Sequence, residues 1–110
     1  MKPGGHYPVR EYVTPQSKNP FLAWLETLDI RIRARIRARV LRFERGNFGD
    51  HRHLGRNFYE GRLHFGSGYR IYFGIDRNTV IILLTGGGKN SQSRDIREGR
   101  RLWVEYLRRT

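Results

Sequence analysis

Residues 30–40 read IRIRARIRARV, from Ile30 to Val40, and the fold turns on whether that run is strand or helix. Strict alternation of apolar and charged residues is the pattern of a half-buried strand. Three features favour a helix. The run is long for a strand, Ala and Arg are helix formers, and Leu25, Leu28, Ile32, Ile36, Val40 and Phe43 fall on one helical stripe. Gly46 then supplies a C-terminal stop. Upstream, Asn19-Pro20 reads as an N-cap with proline in the first turn, followed by Phe21, Trp24, Leu25 and Leu28 at helical spacing. Two helices are expected here, or one bent near Asp29, with Arg31, Arg35, Arg39 and Arg42 along an exposed flank.

Working outward, Val9 to Thr14 alternates weakly and stops at Pro15, which predicts a short edge strand preceded by a flexible extension over residues 1–8. Residues 47–60 carry two glycines, two histidines and two arginines and read as a loop. Arg62–Phe65 and Tyr69–Phe73 have strand character and flank Gly66-Ser67-Gly68, a hairpin with a three-residue loop. Asp76-Arg77-Asn78 turns the chain into Thr79–Thr85, an apolar strand buried on both faces, and Gly86-Gly87-Gly88 ends the sheet. Ser93 can cap a last helix carrying Ile96, Trp103 and Leu107 on one stripe. The expected order is β-α-α-β-β-β-α: one small α+β domain over residues 1–110, an antiparallel sheet with helices packed on one face.

The 110 residues suffice for one domain and little more. Without cysteine there is no disulfide framework, thiolate metal site or cysteine nucleophile. Residues 1–10 lack an apolar signal core, and the longest apolar run, Val80–Leu84, is too short to span a bilayer, so a cytoplasmic protein is expected. The 22 basic and 10 acidic residues leave a net charge of +12. Half of it sits in residues 31–45, where seven arginines face only Glu44. Such a concentration suits a polyanion or an acidic protein as partner.

Two stretches can carry chemistry. If helices cover the apolar sheet face, the other face displays Arg62, His64, Arg70 and Tyr72 together. Cations, an imidazole and a phenol on one face can grip phosphates and move a proton, the requirements for RNA cleavage by its own 2′-hydroxyl. The same four residues would also suit an ordinary solvent-facing surface. Gly86-Gly87-Gly88-Lys89 fails the spacing of a nucleotide-triphosphatase loop, but a backbone nest with Lys89 could hold one phosphate. His51-Arg52-His53 lacks a carboxylate or thiol beside it, so no metal is expected.

Gly46-Asn47-Phe48-Gly49-Asp50, the run from Arg62 to Phe73, and the run from Leu83 to Gln92 together resemble a known group. It is the phage-derived branch of the RelE/ParE superfamily, the addiction-module killer proteins of bacterial type II toxin–antitoxin systems, matched over about residues 9–108. The resemblance implies a RelE-like fold and a metal-independent, cofactor-free mRNA interferase: an endoribonuclease that cuts messages on the ribosome, inhibits translation and arrests growth. It implies as partner a cognate antitoxin with a helix-turn-helix domain, through which alone operator DNA is reached, and no membrane. Carried over by position, Arg70 would stabilise the reacting phosphate, Arg62 and His64 form the basic pair with His64 as proton-transfer group, and Lys89 follows the last strand. Arg52, Tyr72 and Arg94 would contact RNA, and Arg31, Arg35, Arg39 and Arg42 the acidic antitoxin. No tyrosine lies in Asn90–Arg94, where ribosome-dependent members carry their base, so the general base stays open. The alternatives are a ParE-like gyrase inhibitor without nuclease chemistry and a degenerate toxin that only binds.

Overall fold

The computed structural model describes residues 5–110. The alternating run is helical: α1 spans Pro20–Glu26 and α2 spans Ile30–Glu44. Each has its own cap, Asn19 accepting from the Leu22 N–H at 3.0 Å and Asp29 from the Arg31 N–H at 2.8 Å. Ile36, Val40 and Phe43 are buried at helical spacing, whereas Ile30, which strand alternation would bury, is 72% exposed. Gly46, with φ of 78°, ends α2.

Five strands follow the order β1-β5-β4-β3-β2 across the sheet. They are β1 (Val9–Glu11), β2 (His51–Gly55), β3 (Phe58–Leu63), β4 (Tyr69–Asp76) and β5 (Val80–Gly88). Only β1 runs parallel to its neighbour. After a 3-10 turn at Lys89–Ser91 comes α3, Gln92–Arg108. The fold class is the expected α+β, RelE-like one, with specific departures.

The segment expected to be a loop is instead β2 and the start of β3, giving β-α-α-β-β-β-β-α. Its two-residue turn, Arg56-Asn57, takes φ of 51° and 61°, the mirror-image turn that matches strand twist. The helices occupy both sheet faces. Side chains from α1 and α2 pack on Ile71, Phe73, Ile81 and Leu83, while Leu102 and Trp103 of α3 pack on Phe58, Tyr72, Ile82 and Leu84. A strand as apolar as β5 requires cover on both sides. The glycines at residues 86–88 belong to β5 rather than ending it. A side chain at Gly86 would overlap the indole of Trp24, and one at Gly74 that of Trp103. α3 begins after Ser91, not Ser93, and the Ser91 hydroxyl donates to Asp95. Leu107 is exposed, the buried stripe running through Leu102 and Trp103. Of the supposed extension, residues 1–4 lie outside the described residues. Tyr7 is a core residue, its N–H bonded to Glu44 O, and Pro8 O accepts from Ile81 N, so residues 7 and 8 are anchored.

Three contacts fix α3 on the sheet: Trp103 Nε1 donates to Arg56 O (2.9 Å), Tyr12 Oη to Glu105 (2.6 Å) and Tyr106 Oη to Asp76 (2.6 Å). Burial, then the Asp76 hydrogen bond, pushes the Tyr106 phenol up to about 12, so it remains a donor. These contacts hold the C-terminal half of the helix, and its first turn meets the sheet at the other end through Gln92.

Candidate functional site

At that end, on the face shared with α3, register brings five polar side chains together. Arg62 lies opposite Arg70, and Glu60 lies between Arg52 on β2 and Tyr72 on β4. Two arginines directly across a strand pair repel each other. Glu60, two residues before Arg62 on the same face, lies diagonal to Arg70 and offsets that repulsion. Its carboxylate is fully buried and is 3.2 Å from Arg62 Nε, 3.5 Å from Arg52 Nη2 and 3.6 Å from Arg70 Nε. Tyr72 Oη donates to it at 3.0 Å and Gln92 Nε2, from the first turn of α3, at 2.9 Å.

Burial alone would raise the Glu60 carboxyl, but hydrogen bonds from Gln92, Tyr72 and Arg62, with the Arg52 charge, hold it below its ordinary value. The Tyr72 phenol is pushed up by burial first and then by the Glu60 charge, so it stays protonated. Tyr72, expected at an RNA-facing surface, is fully buried and serves Glu60 instead. The cluster holds three guanidiniums against one carboxylate. Arg70 Nε is buried and faces the Glu60 carboxylate at 3.6 Å, an ion pair longer than a hydrogen bond. With three cations on one carboxylate, the cluster keeps a net positive charge that suits an anion.

The remaining expected residues surround this cluster rather than enter it. His64 is exposed, its Nε2 2.6 Å from Asp50 Oδ2, while the Asp50 carbonyl accepts from Arg62 N. The hydrogen bond to His64, ahead of the Arg62 charge, keeps the Asp50 carboxyl low. The pair can orient an imidazole and pass a proton beside the arginines. The exposed Lys89 lies across Gly68, its stem in contact with the space a side chain there would enter. Arg94, 3.9 Å from Asp95, lines a hollow of about 580 Å³ with Lys89 and Gln92, and Gln92 joins the hollow to Glu60. Arg31, Arg35 and Arg42 are exposed on α2, and Arg39 is half-buried, donating to Arg62 O at 3.2 Å.

Sequence reading missed Glu60, Gln92 and Asp50. The alternation Glu60, Arg62, His64 is a signal for the first, masked by the loop-like composition of residues 47–60. Among the described residues no group of His, Cys, Asp or Glu could hold a metal ion, and no helix is long and apolar enough to cross a membrane.

No established family profile matches the chain. An uncharacterized protein of Haemophilus influenzae is 39% identical over 86 residues, which cover 77% of this chain and 87% of that protein. Among solved structures, a chain of the RelBE2 toxin–antitoxin complex of Mycobacterium tuberculosis superposes with a TM-score of 0.59 at 22% identity, covering 76% of this chain and 99% of the other. That likeness is one of fold. The chain belongs to one family with the Haemophilus influenzae protein, on the fold found in the RelBE2 complex.

Proposed function

We propose that the chain is the toxin of a type II toxin–antitoxin pair, of the phage-derived RelE/ParE branch, and an endoribonuclease acting on ribosome-bound messages. The convergence of Arg52, Arg62 and Arg70 on Glu60, three cations against one carboxylate, carries this reading. The fold shared with a toxin–antitoxin complex adds to it.

In the proposed reaction the substrate's 2′-oxygen attacks the adjacent phosphorus and the 5′-oxygen leaves. The product strands end in a cyclic phosphate and a 5′-hydroxyl. One group must take the 2′-hydroxyl proton and another must supply one to the leaving oxygen. His64, held by Asp50, is the proton-transfer group, because Glu60 is buried and committed to the arginines. Arg62 and Arg70 hold the phosphate and stabilise its added charge. Arg52, Lys89 and Arg94 carry neighbouring stretches of strand. The partner is an antitoxin whose acidic segment is drawn to the arginine flank of α2, and which alone would bring the toxin to operator DNA.

Induction of the parent chain is expected to arrest growth. Arg70→Ala, with its fold verified by circular dichroism, should lower RNA cleavage by about 10²–10³-fold, the scale seen on removing one transition-state donor. A folded Arg70→Ala chain that arrests growth as the parent does would contradict the assignment.

A further inference from the structure

Glu60 offsets part of the arginine charge on one sheet face, and on α2 Arg37 pairs with Glu11, whereas Arg35, Arg39 and Arg42 make no ion pair among the described residues. Arg35, Arg39 and Arg42 lie at i, i+4 and i+7 and, with Ala38 and Phe65, line a small cavity of about 120 Å³. Among the described residues none of the three pairs with a carboxylate. Arg35 and Arg39 are nevertheless held in place. The Arg35 guanidinium lies 4.0 Å over the Phe65 ring, and Arg39 donates to Arg62 O while Gly49 packs against its guanidinium. Burial first, then the Arg42 charge, lowers Arg39, and the Asp50 charge only partly opposes them. The cluster is also joined to the candidate site. Arg62 turns its guanidinium to Glu60 and its carbonyl to Arg39, and the loop after β3 carries both His64 and Phe65.

We propose that Arg35, Arg39 and Arg42 form a second phosphate site, which receives the backbone of the RNA strand after it passes over the β3–β4 loop from the Glu60 cluster. Clustered guanidiniums that make no ion pair with a carboxylate match a backbone phosphate, whose binding releases condensed cations. The inference rests on the nuclease reading and adds the strand's course to it. An antitoxin segment seated on the same arginines would compete with the strand.

The test is the salt dependence of binding of a 2′-O-methyl RNA dodecamer, which cannot be cleaved, measured by fluorescence anisotropy. Three chains are compared: the parent, Arg35→Ala/Arg42→Ala, and Arg10→Ala/Arg77→Ala. The last removes the same charge at the far end of the sheet, where both arginines act on Tyr106. Each phosphate contact on a single strand contributes about 0.7 to the slope of log K against log salt. The α2 pair should therefore flatten the slope by about 1.4, while the control pair leaves it at the parent value. Equal flattening by both pairs, or none by either, overturns the proposal. So does an unchanged RNA slope combined with lost binding of a polyglutamate peptide, which would assign the flank to a protein partner. If the α2 pair has no effect but Arg70→Ala still abolishes growth arrest, only the strand's course is wrong. If the dodecamer does not bind the parent chain, the second phosphate site is overturned, while the reading on ribosome-bound messages is decided separately by growth arrest in Arg70→Ala.

Discussion

Glu60 concentrates most of the site's physics in one carboxylate. Removing one side of a buried ion pair leaves uncompensated charge and costs about 3–5 kcal/mol. Glu60→Ala should therefore destabilise the chain by about that amount, read from urea unfolding, because three arginines are left facing one another. The folded carboxyl lies below its ordinary value of 4.5, so its contribution is whole above that pH and is lost as pH falls through the lower folded value. The stability difference between the parent and Glu60→Gln should thus be largest near neutral pH and shrink in acid; a difference independent of pH would contradict the assigned pairing. At this scale the sequence was partly legible. Arg62 and Arg70 were identifiable as a basic pair from strand alternation alone. Their counter-charge was not, because Glu60 joins them only through a strand that begins earlier than its residues suggest.

At the scale of elements, two tryptophans each dock one helix through a glycine hole. Trp24 fixes α1 over Gly86, and Trp103 fixes α3 over Gly74. Overfilling such a contact costs about 1–3 kcal/mol. Gly86→Ala and Gly74→Ala should each destabilise by that amount, with hydrogen exchange rising first in α1 for the former and in α3 for the latter. Uniform loss of protection in both variants would mean that the helices do not dock separately. Because Gln92 at the start of α3 hydrogen-bonds Glu60, Gly74→Ala should also reduce activity. The helices were readable from apolar spacing and caps, and the long run of alternation was outweighed by one continuous stripe. The β2–β3 hairpin was not readable. Its turn is Arg56-Asn57, lacking the glycine that marks such turns, and only Asn belongs to the residues that readily take positive φ. The glycines of β5 misled in the opposite sense, since their missing side chains make room for Trp24 and Asp95 rather than break the strand.

Across the whole molecule, two arginine groups, Arg52, Arg62 and Arg70 on the sheet and Arg35, Arg39 and Arg42 on α2, meet at Arg62. One is organised by a buried carboxylate and the other is left without one. Composition indicated a polyanionic partner, but the division could be seen only once helices were placed on both faces of the sheet. The central claim is that the Glu60-organised arginines cleave RNA in cells. Its most direct test is transcriptome-wide mapping of new RNA 5′ ends after brief induction of the parent and of Arg70→Ala, with and without a translation block. The account predicts new ends within translated frames for the parent, their disappearance under the block, and none for Arg70→Ala. Growth arrest without new ends, accompanied by a DNA-damage response, would contradict it and point to gyrase.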